Sequence, residues 1–144
     1  LLLDVVEHID DDVQAIRQAS RLLNSRGHIL LTVPAYPFLW SSHDELNQHK
    51  RRYIKHTLRQ LLLKAELSML FLSYFNSLLF PLAVFERMSQ KLRRRESLKS
   101  LSLPPSPINN LLAAIFASEK LWLRHGSFPF GLSLIALAKK AVED

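Results

Sequence analysis

Two short apolar runs on either side of one amphipathic stretch constrain this chain more than anything else in it. Leu1 to Val6 is apolar except at Asp4, and His28 to Val33 is a second run rich in β-forming residues. Both are short enough for strands, and both read as buried on the two faces of a sheet. Between them Val13, Ile16, Ala19, Leu22 and Leu23 recur at helical spacing, with Arg17 and Arg21 off the stripe. Asp10, Asp11 and Asp12 place negative charge at the positive end of that helix. Gly27 is expected to close the helix in the left-handed conformation, and Pro34 to end the second run by removing a backbone donor. Strand, helix and strand joined this way make a right-handed βαβ unit and hence a parallel sheet. Ligands of open parallel sheets bind beyond the carboxyl ends of the strands, which here carry Asp4 to Ile9 and Pro34 to His43.

The rest of the chain extends the pattern. Residues 34–56 show no clean period: Pro34, Pro37, Ser41 and Ser42 favour a loop, while Tyr36, Phe38, Leu39 and Trp40 are too apolar for an idle one. A loop of this length leaving a sheet's carboxyl end is expected to face a substrate. Thr57 and Gln60 have the spacing of a capping box, ahead of a stripe of Leu58, Leu61, Leu62 and Ala65. Ser68 to Phe75 reads as a strand with Met69, Phe71 and Phe75 on one face and Leu70, Leu72 and Tyr74 on the other. Residues 77–126 read as a helical insert. It comprises a helix at 78–95 running from apolar to basic, a Ser/Pro-rich linker at 96–107, and a helix capped at Ser106-Pro107. The second helix carries Ile108, Leu111, Leu112, Ile115, Phe116, Trp122 and Leu123 and ends at Gly126, before a last strand at 132–138.

With the stretches LLLDVVEHIDDD and GHILLTVPAYPFLWSSHDELNQHKRRY in view, the chain resembles the second half of a class I S-adenosylmethionine-dependent methyltransferase. The resemblance extends to FGLSLIALAKK and so spans nearly the whole chain. It implies an α/β, Rossmann-like fold in which the strands at about 1–6, 28–33, 68–75 and 132–138 are the fourth to seventh. The last would run antiparallel between the second and third of them, in a single truncated domain over 1–144. It also implies S-adenosylmethionine as cofactor, with Leu3, Asp4, Val5 and His8 on its pocket wall. Members of the family commonly have Gly-Phe at the helix-to-strand junction where this chain has Glu66-Leu67. The chain begins inside a strand, and its three glycines lie at 27, 126 and 131. It is therefore expected to be a piece of a longer protein that lacks the glycine-rich cofactor turn, and to be inactive alone.

Composition narrows the chemistry. There is no cysteine, which excludes disulfides, thiolate metal sites and cysteine nucleophiles and accords with a cytoplasmic setting. The 19 residues from Leu67 to Phe85 are long enough to span a bilayer, but Ser68, Ser73, Asn76, Ser77 and Pro81 break them into strand and helix. On the acceptor side the candidates are Tyr36, Trp40, Asp44, Arg51, Arg52 and Tyr53 for binding, and His43 and His49 as proton acceptors near neutral pH. His43, Asp44 and His49 match no strong metal spacing, and no metal is expected. The net charge of +6, concentrated at 49–56 and 91–95, points to an anionic or lipid-linked acceptor or a membrane surface. Nucleic acid is the weakest reading, because only Tyr53 interleaves with the basic residues. The alternative to an enzyme is a non-catalytic module that rests the 78–95 helix on a membrane or a partner.

Overall fold

The structure, a computed structural model, describes residues 1–93 and 106–140. The linker 96–107 lies mostly outside them, as do the side chains of the basic run 91–95 and of the cap at Ser106-Pro107. Four strands form one sheet: β1 (Leu2–Leu3), β2 (His28–Pro34), β3 (Leu67–Phe75) and β4 (Ser133–Lys140), in the order β1-β2-β4-β3. β1 and β2 are parallel, and β4 runs antiparallel between β2 and β3, as the resemblance implies.

Helix α1 (Asp12–Arg21) crosses from β1 to β2, and Asp11 caps it by accepting from the Gln14 amide. Its Ile16 is fully buried, whereas Leu22 lies beyond the helix end and is exposed. Helix α3 (Lys55–Lys64) packs beside α1 on the same face of the sheet and buries Leu58, Leu61 and Leu62, with Ala65 buried just past its end. Together with Val6, Leu31, Val33, Leu67, Leu134, Ala136 and Ala138 these residues form one apolar core. Register places Leu30, Phe71, Ile135 and Leu137 on the other face, where they are only half-buried.

Local chemistry departs from the sequence reading in four places. The first strand is two residues long rather than six, because Asp4 takes a left-handed backbone (φ 50°) and the chain then tightens into a 3₁₀ turn, Val6–His8. Being at the sheet edge, it also leaves Leu3 half exposed instead of buried on both faces. Gly27 is not left-handed; a side chain there would instead meet Leu23 Cβ at 2.8 Å, so the constraint is crowding. Helix α3 starts at Lys55, and Thr57 is the residue that reaches back, its Oγ1 accepting from the Ile54 amide at 3.0 Å. In β3 a bulge between Met69 and Phe71 resets the alternation, so Leu67, Met69, Leu72 and Tyr74 share the core face and Leu70 is exposed.

The helical insert comprises α4 (Phe80–Arg93) and α5 (Ser106–Leu123). Buried Glu119 of α5 accepts from the Leu78 amide at 2.9 Å, just ahead of α4. Phe80 packs against Tyr36 and Phe130, bringing α4 over the carboxyl end of β2. No described helix is long and apolar enough to cross a membrane.

Candidate functional site

Beyond the carboxyl ends of β1 and β2 lies a pocket of about 530 Å³. Its wall takes Asp4, Glu7 and His8 from the turn after β1, His43, Asn47, His49 and Arg52 from the segment after β2, and Asn76 and Arg87 from the insert side.

The segment after β2 is less irregular than its sequence suggests. It contains a 3₁₀ turn (Pro37–Leu39) and a short helix, α2 (Ser42–Leu46), and it closes on itself where Ala35 bridges Tyr53. Buried Asp44 organises it. Its carboxylate accepts from Arg52 Nε (2.7 Å) and Nη2 (3.1 Å), from the Ser41 amide (2.9 Å) and hydroxyl (3.2 Å), and from His49 Nδ1 (2.9 Å). Arg52, in turn, donates to the Ala35 carbonyl at 2.9 Å. Burial opposes ionisation of Asp44, but the hydrogen bonds from Arg52 and His49 outweigh it and hold the carboxyl below its usual range. Because an ionised carboxylate only accepts, His49 Nδ1 is the nitrogen that donates to it, and Nε2 is left without that partner.

Glu7 contrasts with Asp44. The 3₁₀ turn folds its side chain inward until it is fully buried, and neither carboxylate oxygen has a hydrogen-bond partner. Desolvation raises its pKa above the ordinary glutamate value. Its backbone carbonyl accepts from the Lys50 amide at 2.8 Å, tying this turn to the Asp44 segment. The rings of His8 and His49 then meet edge to face, with centroids 4.8 Å apart. Asp4 Oδ1 accepts from Thr32 Oγ1 at 3.1 Å, which fixes the turn to β2.

The structure thus brings Asp4, His8, His43, His49 and Arg52 to one cavity. Leu3 and Val5 flank Asp4 with exposed apolar side chains. Asp44 stands behind His49 and Arg52, so it is spent on holding them and is not open to a metal with His43. Asn47 Nδ2 donates to His43 Nε2 at 2.9 Å. Tyr36 stacks on Tyr74 (centroids 5.0 Å apart), and burial together with that phenol pushes its pKa up, so it stays protonated. Trp40 is half-buried next to the pocket segment without lining the cavity.

Two expected acceptor residues point elsewhere. Arg51 pairs with Asp12 (3.0 Å) and donates to the Asp10 carbonyl, while Tyr53 is buried with its hydroxyl donating to Asp12 Oδ2 at 2.9 Å. Both belong to the seam between α1 and α3. Neighbouring residues on an extended strand point to opposite sides, and Arg52 takes the pocket side. The sequence reading gave no site role to Asn47, Asn76 and Arg87, and read Glu7 as an acid at a helix entry. Only Glu7 had a local signal, as an acid inside an otherwise apolar turn.

No protein-family model matches the sequence, and no curated protein matches it. Solved structures match it in fold. Phosphoethanolamine N-methyltransferase 2 of Haemonchus contortus, in complex with S-adenosyl-L-methionine, aligns with 97% of this chain and 32% of its own at TM-score 0.51 and 14% identity. The [4+2]-cyclase SpnF aligns with 99% of this chain and 50% of its own at TM-score 0.50 and 17% identity. The chain therefore spans between a third and a half of these relatives. Identity this low speaks for fold alone: the chain has the Rossmann-like α/β fold of class I methyltransferases, covering its fourth to seventh strands.

Proposed function

We propose that the chain is the acceptor-side half of an S-adenosylmethionine-dependent methyltransferase. The observation that carries this reading is the single cavity where the DVVEH turn and the 34–56 segment meet, at the strand ends where this fold binds ligands. The residues present fit one wall of a cofactor site. The Asp4 turn offers a left-handed backbone flanked by exposed Leu3 and Val5, with His8 beside it, suited to a ligand with apolar and amino-acid parts. When bound, S-adenosylmethionine supplies an electrophilic methyl group. What the chain supplies is positioning and proton acceptance. His43 takes the acceptor's proton when its Nε2 exchanges the Asn47 amide for the acceptor, and His49 shares that cavity. Arg52 faces an anionic group, and Tyr36 and Trp40 stand beside the cavity on the segment after β2. Arg51 and Tyr53 are left out of this assignment because they face Asp12.

Calorimetric titration of the full-length protein with S-adenosylmethionine tests it. The Asp4→Ala/His8→Ala double variant should bind roughly tenfold or more weakly while remaining folded, since it loses polar contacts of about 1 kcal/mol each. Trp40→Ala should change acceptor kinetics and leave cofactor affinity nearly intact. Unchanged affinity in the folded double variant would count against the site.

A second reading rests on α4. Leu82, Phe85 and Met88 are 64%, 72% and 60% exposed, and Phe80, Val84, Phe85 and Phe130 line an apolar concavity. Such a surface suits a lipid-linked acceptor or a membrane headgroup layer. Vesicle flotation of full-length protein, with Phe85→Glu as control, separates this reading from the first.

A further inference from the structure

We propose that Glu7, His8 and His49 form a binding site for one divalent transition-metal ion inside the pocket. One ligand atom from each of the three lies within 4.8 Å of the others. A metal with nitrogen and oxygen ligands at about 2.0–2.2 Å holds them no more than about 4 Å apart, so the set needs only a small closure. His8 is exposed and at the pocket rim, where its ring can make that movement.

Three features distinguish this cluster from a chance grouping. Glu7 is fully buried, lines the cavity and has no hydrogen-bond partner for either carboxylate oxygen. A buried carboxylate in that state is costly unless a cation meets it. His49 is already prepared as a ligand: Asp44 holds its Nδ1–H, so Nε2 is the free donor and the ring cannot turn away. Asp44 is in turn fixed by Arg52 and Ser41, so the support reaches a further shell back. Asp4, on the same pocket wall, adds negative charge nearby.

The donor set names the class of ion. One carboxylate and two imidazoles suit Zn²⁺, Mn²⁺ or Fe²⁺ rather than Ca²⁺, which takes oxygen ligands. Three protein ligands also leave positions open on the cavity side. There an acceptor oxygen could coordinate and lose its proton more easily to solvent or to His43. That use of the ion rests on the methyl-transfer reading; binding of the ion does not.

Full-length protein, stripped with a chelator and titrated with Zn²⁺ and with Mn²⁺ alone, tests the site. One ion per chain should bind saturably at micromolar concentration. His8→Ala and His49→Ala should each weaken it at least a hundredfold, and Asp44→Asn about ten- to a hundredfold through His49. Co²⁺ substitution should give visible absorption bands that change in His8→Ala. His8 is exposed, so that variant decides the matter even if Asp44→Asn fails to fold. Equal affinity in wild type, His8→Ala and His49→Ala, or no binding below millimolar concentration, would overturn the site. Affinity for S-adenosylmethionine, measured on the same metal-free samples, reports on the methyltransferase reading separately.

Discussion

Asp44 and Glu7 are both completely buried acids on walls of the same pocket region, yet their surroundings are opposite. Asp44 accepts from three residues that approach both of its oxygens, and Glu7 accepts from none. The first arrangement is what a carboxylate needs to hold a fold together, because each donor offsets part of its desolvation. The second is what a fold tolerates only where something else is to be met. Burial alone would have put the two acids in one class; the count of donors separates them.

The largest expected effect breaks the satisfied member. Asp44→Ala leaves the guanidinium of Arg52 buried and unpaired, and should destabilise the protein by about 3–5 kcal/mol in chemical denaturation. Asp44 also gives the pair a pH signature. Its pKa is lowered by folding, so its contribution is present above the unfolded value of about 3.9 and is lost as pH falls through the folded one. Acid unfolding of wild type should therefore begin below about pH 4 through this residue, and Asp44→Asn should flatten that limb of the stability curve.

The next effect has the opposite sign. Glu7→Gln removes a buried carboxyl whose ionisation is opposed by desolvation, so it should stabilise metal-free protein by about 1 kcal/mol at a pH above the folded pKa. Folding raises the Glu7 pKa, so wild type loses stability as pH rises from about 4.3 through the folded value, and Glu7→Gln should abolish that slope. Thermal melts between pH 4 and 8 with a chelator present read both; a destabilised Glu7→Gln would show that the carboxylate is satisfied after all.

The smallest effect uses an exposed acid as reference. Glu66 sits at the α3–β3 junction with φ 61°, in a left-handed conformation that a side chain disfavours. Its weak pairing with Arg17 at 3.5 Å is on the surface. Glu66→Gly should gain about 0.5–1 kcal/mol by urea unfolding, despite deleting an ion pair.

That junction also shows what sequence can and cannot reveal. Substitution of Glu66-Leu67 for a Gly-Phe pair drew attention to the right place, and the left-handed backbone has remained without the glycine. The apolar runs and their connection gave the strands and the parallel β1–β2 pair, whereas the strand order and the antiparallel last strand were implied by the family resemblance alone. The bulge at Leu70 was not legible, since an uninterrupted apolar strand carries no mark of where its alternation resets. Arg51 and Arg52 look alike in sequence, and only the strand-like geometry beside Ala35 sends one to the pocket and the other to Asp12. Glu7 was hidden for a different reason. An acid after a strand suits the start of a helix equally well, and burial inside a 3₁₀ turn depends on contacts with Lys50 and His49 far along the chain.

The place of β4 in the sheet has a consequence for how the chain reaches its fold. β2 and β3 are not hydrogen-bonded neighbours; they are joined through β4, which is the last of the four strands in sequence. During synthesis β3 therefore emerges with no partner strand available, and the whole insert must be made before one arrives. Pairings such as His28 with Lys139 close very long loops, which makes assembly slow and leaves apolar strand edges open to other chains meanwhile. The two lysines that end β4, Lys139 and Lys140, put charge at the rim of this late-arriving strand, where it discourages pairing with the wrong neighbour.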